Sequence, residues 1–255
     1  MSKPTRISPS SPLTGVGYFD RSQEPLYILV FLFPLVVCYE GALYLANIGD
    51  KNIQIKAHYH LVQFFEYFDL PATQGLGLGG IVIILIFLVW HLIIANKWAI
   101  ECRVIAFMAV ESIVLALPLL VFGGFLGGLF VATDGASIGQ LSLSDKLAVS
   151  IGAGLYEELV FRMIIIGFVH TIVCNIFKQS NRAGLIAGVV FSSILFVLYH
   201  DLPNTGSLSA INLFFFFSAG AYLGFLFVTR GFGIAAATHA AYDVVAITII
   251  PSFGS

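Results

Sequence analysis

Glu157, Glu158, Arg162, His200, His239 and Asp243 all fall inside or at the ends of long apolar runs. An ionisable group near the centre of a bilayer costs at least ~2.5–3.5 kcal/mol on insertion scales, so it normally faces an interior cavity and has a partner or a task. One carboxylate and two imidazoles, drawn from three segments, can converge on a water molecule. A carboxylate left unpaired in a dry cavity is suited to general acid or base work near neutral pH.

Helical geometry makes the three charges of Tyr156-Glu157-Glu158-Leu159-Val160-Phe161-Arg162 unequal. Glu158 and Arg162 are i and i+4 on one face, whereas Glu157 lies about 100° around the axis. Pairing with Arg162 keeps Glu158 ionised and leaves Glu157 spare; the other reading of these residues is a structural ion-pair cluster or charges near a membrane surface. In Phe196-Val197-Leu198-Tyr199-His200 the histidine ends an apolar segment, where it either caps the helix or serves a site, with Phe196 one turn earlier to support the ring. In His239-Ala240-Ala241-Tyr242-Asp243 the two polar residues are one turn apart. Asp243 can orient His239 by a hydrogen bond, or the pair is self-satisfied and locks helix packing. Ala235, Ala236, Ala237, Ala240 and Ala241 let a neighbouring backbone approach closely, which points this segment towards other helices.

The elements that must carry these residues follow from composition. The 255 residues are 58% hydrophobic and 10% charged, against about 25% charged in soluble domains. Spans of roughly 20 apolar residues recur. The expected fold is an all-α polytopic transmembrane bundle of about seven to eight helices. Its spans are residues 26–45, 76–95, 104–131, 147–177, 183–199, 211–228 and 232–250. The third contains Pro118 and the pairs Gly123-Gly124 and Gly127-Gly128, and the fourth exceeds a bilayer, so kinking or tilt is expected in both. An eighth helix would be the amphipathic stretch 58–70, lying in the interface. Residues 1–25, with Pro4, Pro9, Pro12 and Pro25, read as a flexible tail, and residues 26–250 as one membrane-embedded domain with its motifs in 147–250. The first apolar run is too long for a signal-peptide core and is expected to remain as an anchor.

On the seven-span reading Lys3, Arg6, Arg21, Lys97, Arg103, Lys178, Arg182 and Arg230 lie on one side, and Lys51, Lys56 and Lys146 on the other. The positive-inside rule then places the N-terminus in the cytoplasm of a multi-pass protein, with the cell membrane as its expected location. The net charge of −2 supplies no basic face for nucleic acid, and no GxxxxGK phosphate loop occurs. Cys38, Cys102 and Cys174 lack the spacing of a disulfide framework or a CxxC zinc site.

The order of the three motifs resembles the CPBP family of intramembrane proteases, the CAAX-processing and bacteriocin-immunity group, whose pattern is EExxxR, then FxxxH, then HxxxN or HxxxD on successive hydrophobic helices. The matching residues are Glu157, Glu158 and Arg162; Phe196 and His200; His239 and Asp243. The resemblance implies an intramembrane endopeptidase acting on membrane-associated or prenylated, CAAX-type substrates. In it Glu157 and His200 would activate a water, His239 and Asp243 would stabilise the oxyanion, and Glu158, Arg162 and Phe196 would support them. The family is often labelled metalloprotease, although a metal-free glutamate mechanism is also argued for it. Asparagine at position 243 would donate to an oxyanion, while an ionised aspartate would repel it. Asp243 must therefore be protonated, act only through His239, or bind metal. Glu157, His200, His239 and Asp243 are the candidate ligands for zinc or another divalent ion, though HExxH is absent; the reading is a metal-optional site.

The GxSG of serine-type intramembrane proteases is absent, and of the aspartyl type only Tyr242-Asp243 is present, since Gly49-Asp50 lacks the preceding glycine. A proton-coupled transporter and a non-catalytic scaffold or immunity partner remain as alternatives. Membrane lipid and a peptide or membrane-protein substrate are the expected partners. Phe214 to Phe217 either face lipid or shape a prenyl-binding wall, with lipid exposure the expected role. Glu40, Glu111 and His91 sit in apolar spans with no partner visible in the sequence and read as structural or interfacial. Glu157→Ala is expected to abolish proteolysis and Glu158→Gln to weaken it much less.

Overall fold

In lipid every backbone amide must find its partner within the chain, so long apolar runs become helices. The computed structural model describes residues 17–48, 56–66, 78–126, 141–200 and 210–249. Among them lie nine helices: α1 Tyr18–Arg21, α2 Pro25–Ile48, α3 Lys56–Glu66, α4 Leu78–Ile94, α5 Cys102–Phe125, α6 Leu143–Ile176, α7 Asn181–Tyr199, α8 Ala210–Arg230 and α9 Phe232–Ile249. Six of these (α2 and α5 to α9) are long and apolar enough to cross a membrane. The expected second span, α4, has 17 described helical residues, about 25 Å at 1.5 Å each, and runs back beside α2. The Gly80 amide meets Glu40 of α2 near one end of α4, and Phe87 meets Phe232 further along. The chain is an integral membrane protein with an all-helical, polytopic bundle.

Several boundaries differ from those expected. Residues 17–24, which the sequence assigns to the tail, form α1 and a turn that docks on the bundle; residues 1–16 lie outside the described residues. Helix α5 ends at Phe125, so Gly127-Gly128 falls outside them too. The amphipathic stretch 58–70 appears as the 11-residue α3, about 16 Å long and too short to cross, with residues 67–70 not described. Its His58 is fully buried and stacks on Tyr156 of α6, with ring centroids 4.5 Å apart.

The fourth span is one helix of 34 residues, about 50 Å, against a hydrocarbon core of about 30 Å. Its turns at Ala153–Glu157, Leu159–Ile166 and Ile172–Ile176 are widened to π-helical hydrogen bonding. Such turns admit an extra residue and change which side chains share a face, a distortion found frequently at functional sites. Ser142 and Ser180 cap the N-termini of α6 and α7 through the amides of Asp145 and Ala183. Gly231, at φ +84°, makes the tight reversal from α8 to α9.

Helix α9 is the enclosed element, packed by α2, α5, α6 and α8. Phe232 to Ala240 are all buried, which accounts for the small Ala side chains on every side of it. Large apolar residues such as Ile113, Val121, Phe168, Ile186 and Phe225 stand exposed on the surrounding helices, as a lipid-facing surface requires. The turns bearing Arg21, Lys97, Arg103, Lys178, Arg182 and Arg230 gather at one end of the bundle, and Lys146 begins α6 at the other.

Candidate active site

The site depends on how closely α6 and α9 approach. A Cβ on Gly154 would lie 2.5 Å from the Ala236 carbonyl oxygen and 2.7 Å from the Ala240 amide nitrogen. Glycine here, facing the alanines of α9, lets the two backbones touch. One turn further along α6, Glu157 and Glu158 both turn to His239. Helix α7 reaches the same place by ending there: His200 leaves the helix with extended backbone angles, φ −77° and ψ 123°.

Glu158 lies between the Arg162 guanidinium and the His239 imidazole. Its Oε2 is 3.1 Å from Arg162 Nε and its Oε1 is 2.8 Å from His239 Nδ1, all three side chains being buried. The Arg162 guanidinium lies over the Phe196 ring, 4.5 Å from its centroid, and its Nη1 and Nη2 have no hydrogen-bond partner among the described residues. Glu157 is the carboxylate without the arginine. Its Oε2 stands 3.9 Å from His200 Nε2 and 3.9 Å from His239 Nε2, and has no hydrogen-bond partner among the described residues. These separations exceed a direct hydrogen bond and suit a bridging water.

The outer nitrogens define the tautomers. His200 Nδ1 is 2.8 Å from the Phe196 carbonyl oxygen and must donate to it. A neutral His200 therefore presents the Nε2 lone pair towards Glu157. His239 Nδ1 faces the Glu158 carboxylate at 2.8 Å and likewise carries a hydrogen.

All six ionisable residues of the motifs are brought together, at the meeting of α6, α7 and α9. The expected hydrogen bond from Asp243 to His239 is not formed: His239 Nε2 lies 3.6 Å from Asp243 Oδ2, and Glu158 is the residue that orients the ring. The Phe run is divided by its helix. Phe214 is exposed, whereas Phe215 and Phe216 are buried, and Phe216 stacks on His200 with centroids 4.4 Å apart. The expectation of simple lipid exposure is corrected accordingly, because α8 packs that face on α7. Glu40 and Glu111 also have partners. Glu40 accepts from the Gly80 amide at 2.9 Å and from the Tyr156 hydroxyl. Glu111 pairs with Arg230 and Tyr18. His91 is buried against the edge of Trp98. Tyr199, to which the sequence assigns no role, packs its ring 5.2 Å from that of His200 and 5.2 Å from that of Phe161; only its place next to His200 could have signalled it.

The donor set of two imidazoles and carboxylates suits zinc in chemical type. Among the described residues, however, no three His, Cys, Asp or Glu side chains are arranged to hold an ion. His239 Nδ1 is already committed to Glu158.

In class this is an integral membrane helix bundle with a carboxylate–imidazole centre enclosed among its helices. Residues 139–245 match the family of Rce1-like proteins, type II CAAX prenyl endopeptidases. The matched stretch contains all three motifs, so the resemblance to CAAX-processing intramembrane proteases, which hydrolyse peptide bonds, holds over the segment that builds the site. No curated protein and no solved structure matches the chain.

Proposed function

We propose that the protein is an intramembrane endopeptidase that cleaves membrane-associated or prenylated, CAAX-type substrates by a water activated between Glu157 and His200. The observation that carries this reading is the unpartnered Glu157 Oε2, 3.9 Å from both imidazole Nε2 atoms. A water in that gap donates one hydrogen to Glu157 and the other to His200 Nε2. Glu157 takes the proton as the water oxygen attacks the substrate carbonyl, and the same proton passes to the leaving amine. Doubly protonated His239, held by Glu158, donates Nε2–H to the developing oxyanion, and Asp243 assists as a neutral carboxyl. Water exclusion by the surrounding aromatic side chains strengthens each of these interactions.

The mechanism is metal-free in this form. A purified, active protein that loses all activity to a strong chelator and regains it with zinc would overturn that point. The segregation of basic residues supports a cytoplasmic N-terminus in the cell membrane.

The test of the function is a comparison of neo-termini generated from a membrane-protein extract by reconstituted wild type and Glu157→Ala. New termini made only by wild type would establish the protease and reveal its substrate class. If both proteins stay folded and neither cuts, the transporter and scaffold readings take precedence.

A further inference from the structure

Glu40 is a carboxylate inside an apolar helix to which the reaction gives no task, and its contacts lead to the helix that carries Glu157. Its Oε1 accepts from the Gly80 amide of α4 at 2.9 Å and from the Tyr156 hydroxyl of α6. Tyr156 immediately precedes Glu157, and its side chain is fully buried. A hydrogen bond shielded from water in this way is stronger than one at the surface.

Three helices fix the phenol. From α2 the Tyr39 ring stands 5.2 Å away, beside Glu40 itself. From α3 the His58 ring stacks on it with centroids 4.5 Å apart and planes within 7°, while His58 Nδ1 lies 3.1 Å from the Tyr39 hydroxyl. From α4 two adjacent glycines admit the pair. A Cβ on Gly79 would lie 2.5 Å from Tyr156 Cε1 and 2.8 Å from its hydroxyl, and one on Gly80 would lie 3.1 Å from Glu40 Oε1. Tyr156 belongs to the π-helical turn Ala153–Glu157. Such turns are rare because α-helical hydrogen bonding competes with them, so contacts from outside the helix must hold this one. Its reversion to α-helical bonding would re-phase α6, and Glu157 and Glu158 would no longer both face His239.

We propose that Glu40 and Tyr156 are positioning residues of the site: the carboxylate, held by α4, anchors the phenol hydroxyl and with it the π-helical turn that brings Glu157 and Glu158 round to His239. The consequence for cleavage rests on the proteolytic reading; the anchor itself rests on the hydrogen bonds and ring contacts. Neither residue reaches the reacting atoms, so the loss on breaking the pair falls on turnover and not on substrate binding.

The experiment uses the full chain in lipid nanodiscs with a prenylated peptide bearing a CAAX-type tail as probe. Tyr156→Phe keeps the stacked ring and loses only the hydroxyl. It is expected to lower kcat about tenfold with KM within about twofold and Tm within about 4 °C. Glu40→Gln retains an acceptor and is expected to stay within about threefold of wild type, whereas Glu40→Ala falls at least as far as Tyr156→Phe. The double variant Tyr156→Phe/Glu40→Ala is expected to be no worse than Glu40→Ala alone. Independently of cleavage, the side-chain ¹⁵N NMR signals of His200 and His239, assigned by their loss in His200→Gln and His239→Gln, report the approach of Glu157. They are expected to move in Tyr156→Phe and to stay in Glu40→Gln. Unmoved signals or an unchanged kcat in Tyr156→Phe, or a Glu40→Gln as impaired as Glu40→Ala, overturns the proposal. If wild type cleaves no substrate, the proposed function fails, and the histidine signals still decide whether Tyr156 and Glu40 set Glu157.

Discussion

Glu158 faces Arg162 with one carboxylate oxygen and His239 with the other, which separates its role from that of Glu157. Removing the charge of Glu157 leaves no cation stranded, so Glu157→Gln is expected to keep its Tm while cleavage falls by about 10²–10⁴-fold. Glu158→Gln leaves a fully buried guanidinium without its counter-charge, a change worth roughly 3–5 kcal/mol, and releases His239. It is expected to lower Tm and activity together, a larger effect than the sequence-level pairing of Glu158 with Arg162 suggests. Equal Tm values for the two variants would contradict this division. Asp243 tests the oxyanion role. If it donates as a neutral carboxyl, Asp243→Asn keeps kcat within a few-fold and Asp243→Ala loses about 10²-fold; a dead Asp243→Asn with normal Tm would refute neutral donation.

At the scale of elements, the α6–α9 contact is the joint on which the site is built. In Gly154→Ala the new methyl group would meet the Ala236 carbonyl at 2.5 Å and must push the helices apart. A destabilisation of about 1–3 kcal/mol is expected, with loss of cleavage as His239 leaves Glu158. Gly167 lies on the same helix, and a Cβ there meets nothing within 4 Å. Gly167→Ala is therefore the control, expected to be neutral or slightly stabilising through helix propensity. Thermal unfolding in detergent, with cleavage measured below the transition, checks both. The π-helical turns explain a feature that ideal helix geometry misses. Glu157 and Glu158 are 100° apart on a regular helix, yet both reach His239 because the helix is widened around them.

Across the whole molecule the basic end of the bundle is closed by a polar clamp remote in sequence. Arg230 donates to both oxygens of Glu111 at 2.6 and 2.9 Å and to Ser22 at 3.0 Å, with its guanidinium over Phe19, and Tyr18 donates to Glu111. Burial and the neighbouring carboxylate push the Tyr18 hydroxyl upward from its ordinary pKa, so it remains a donor. Tyr18→Phe is expected to loosen α1 and raise proteolytic nicking near residue 17 while kcat stays unchanged; intact α1 in that variant would show the clamp rests on Arg230 alone. The amino-acid sequence determined the helical membrane class, the seven apolar runs and the three polar motifs set within them, because hydropathy and i, i+4 spacing are local properties written along the chain. It also determined the Glu158–Arg162 pair, which needs only one helix. Tertiary structure alone decided that Glu158 and not Asp243 orients His239, that Phe216 and Tyr199 border the cluster, and that Glu111 meets Arg230. Each of those contacts joins helices whose rotation and depth are set by packing: the Gly154–Ala236 approach, the end of α7 at Tyr199 and the docking of α1. No periodicity within a single segment encodes them.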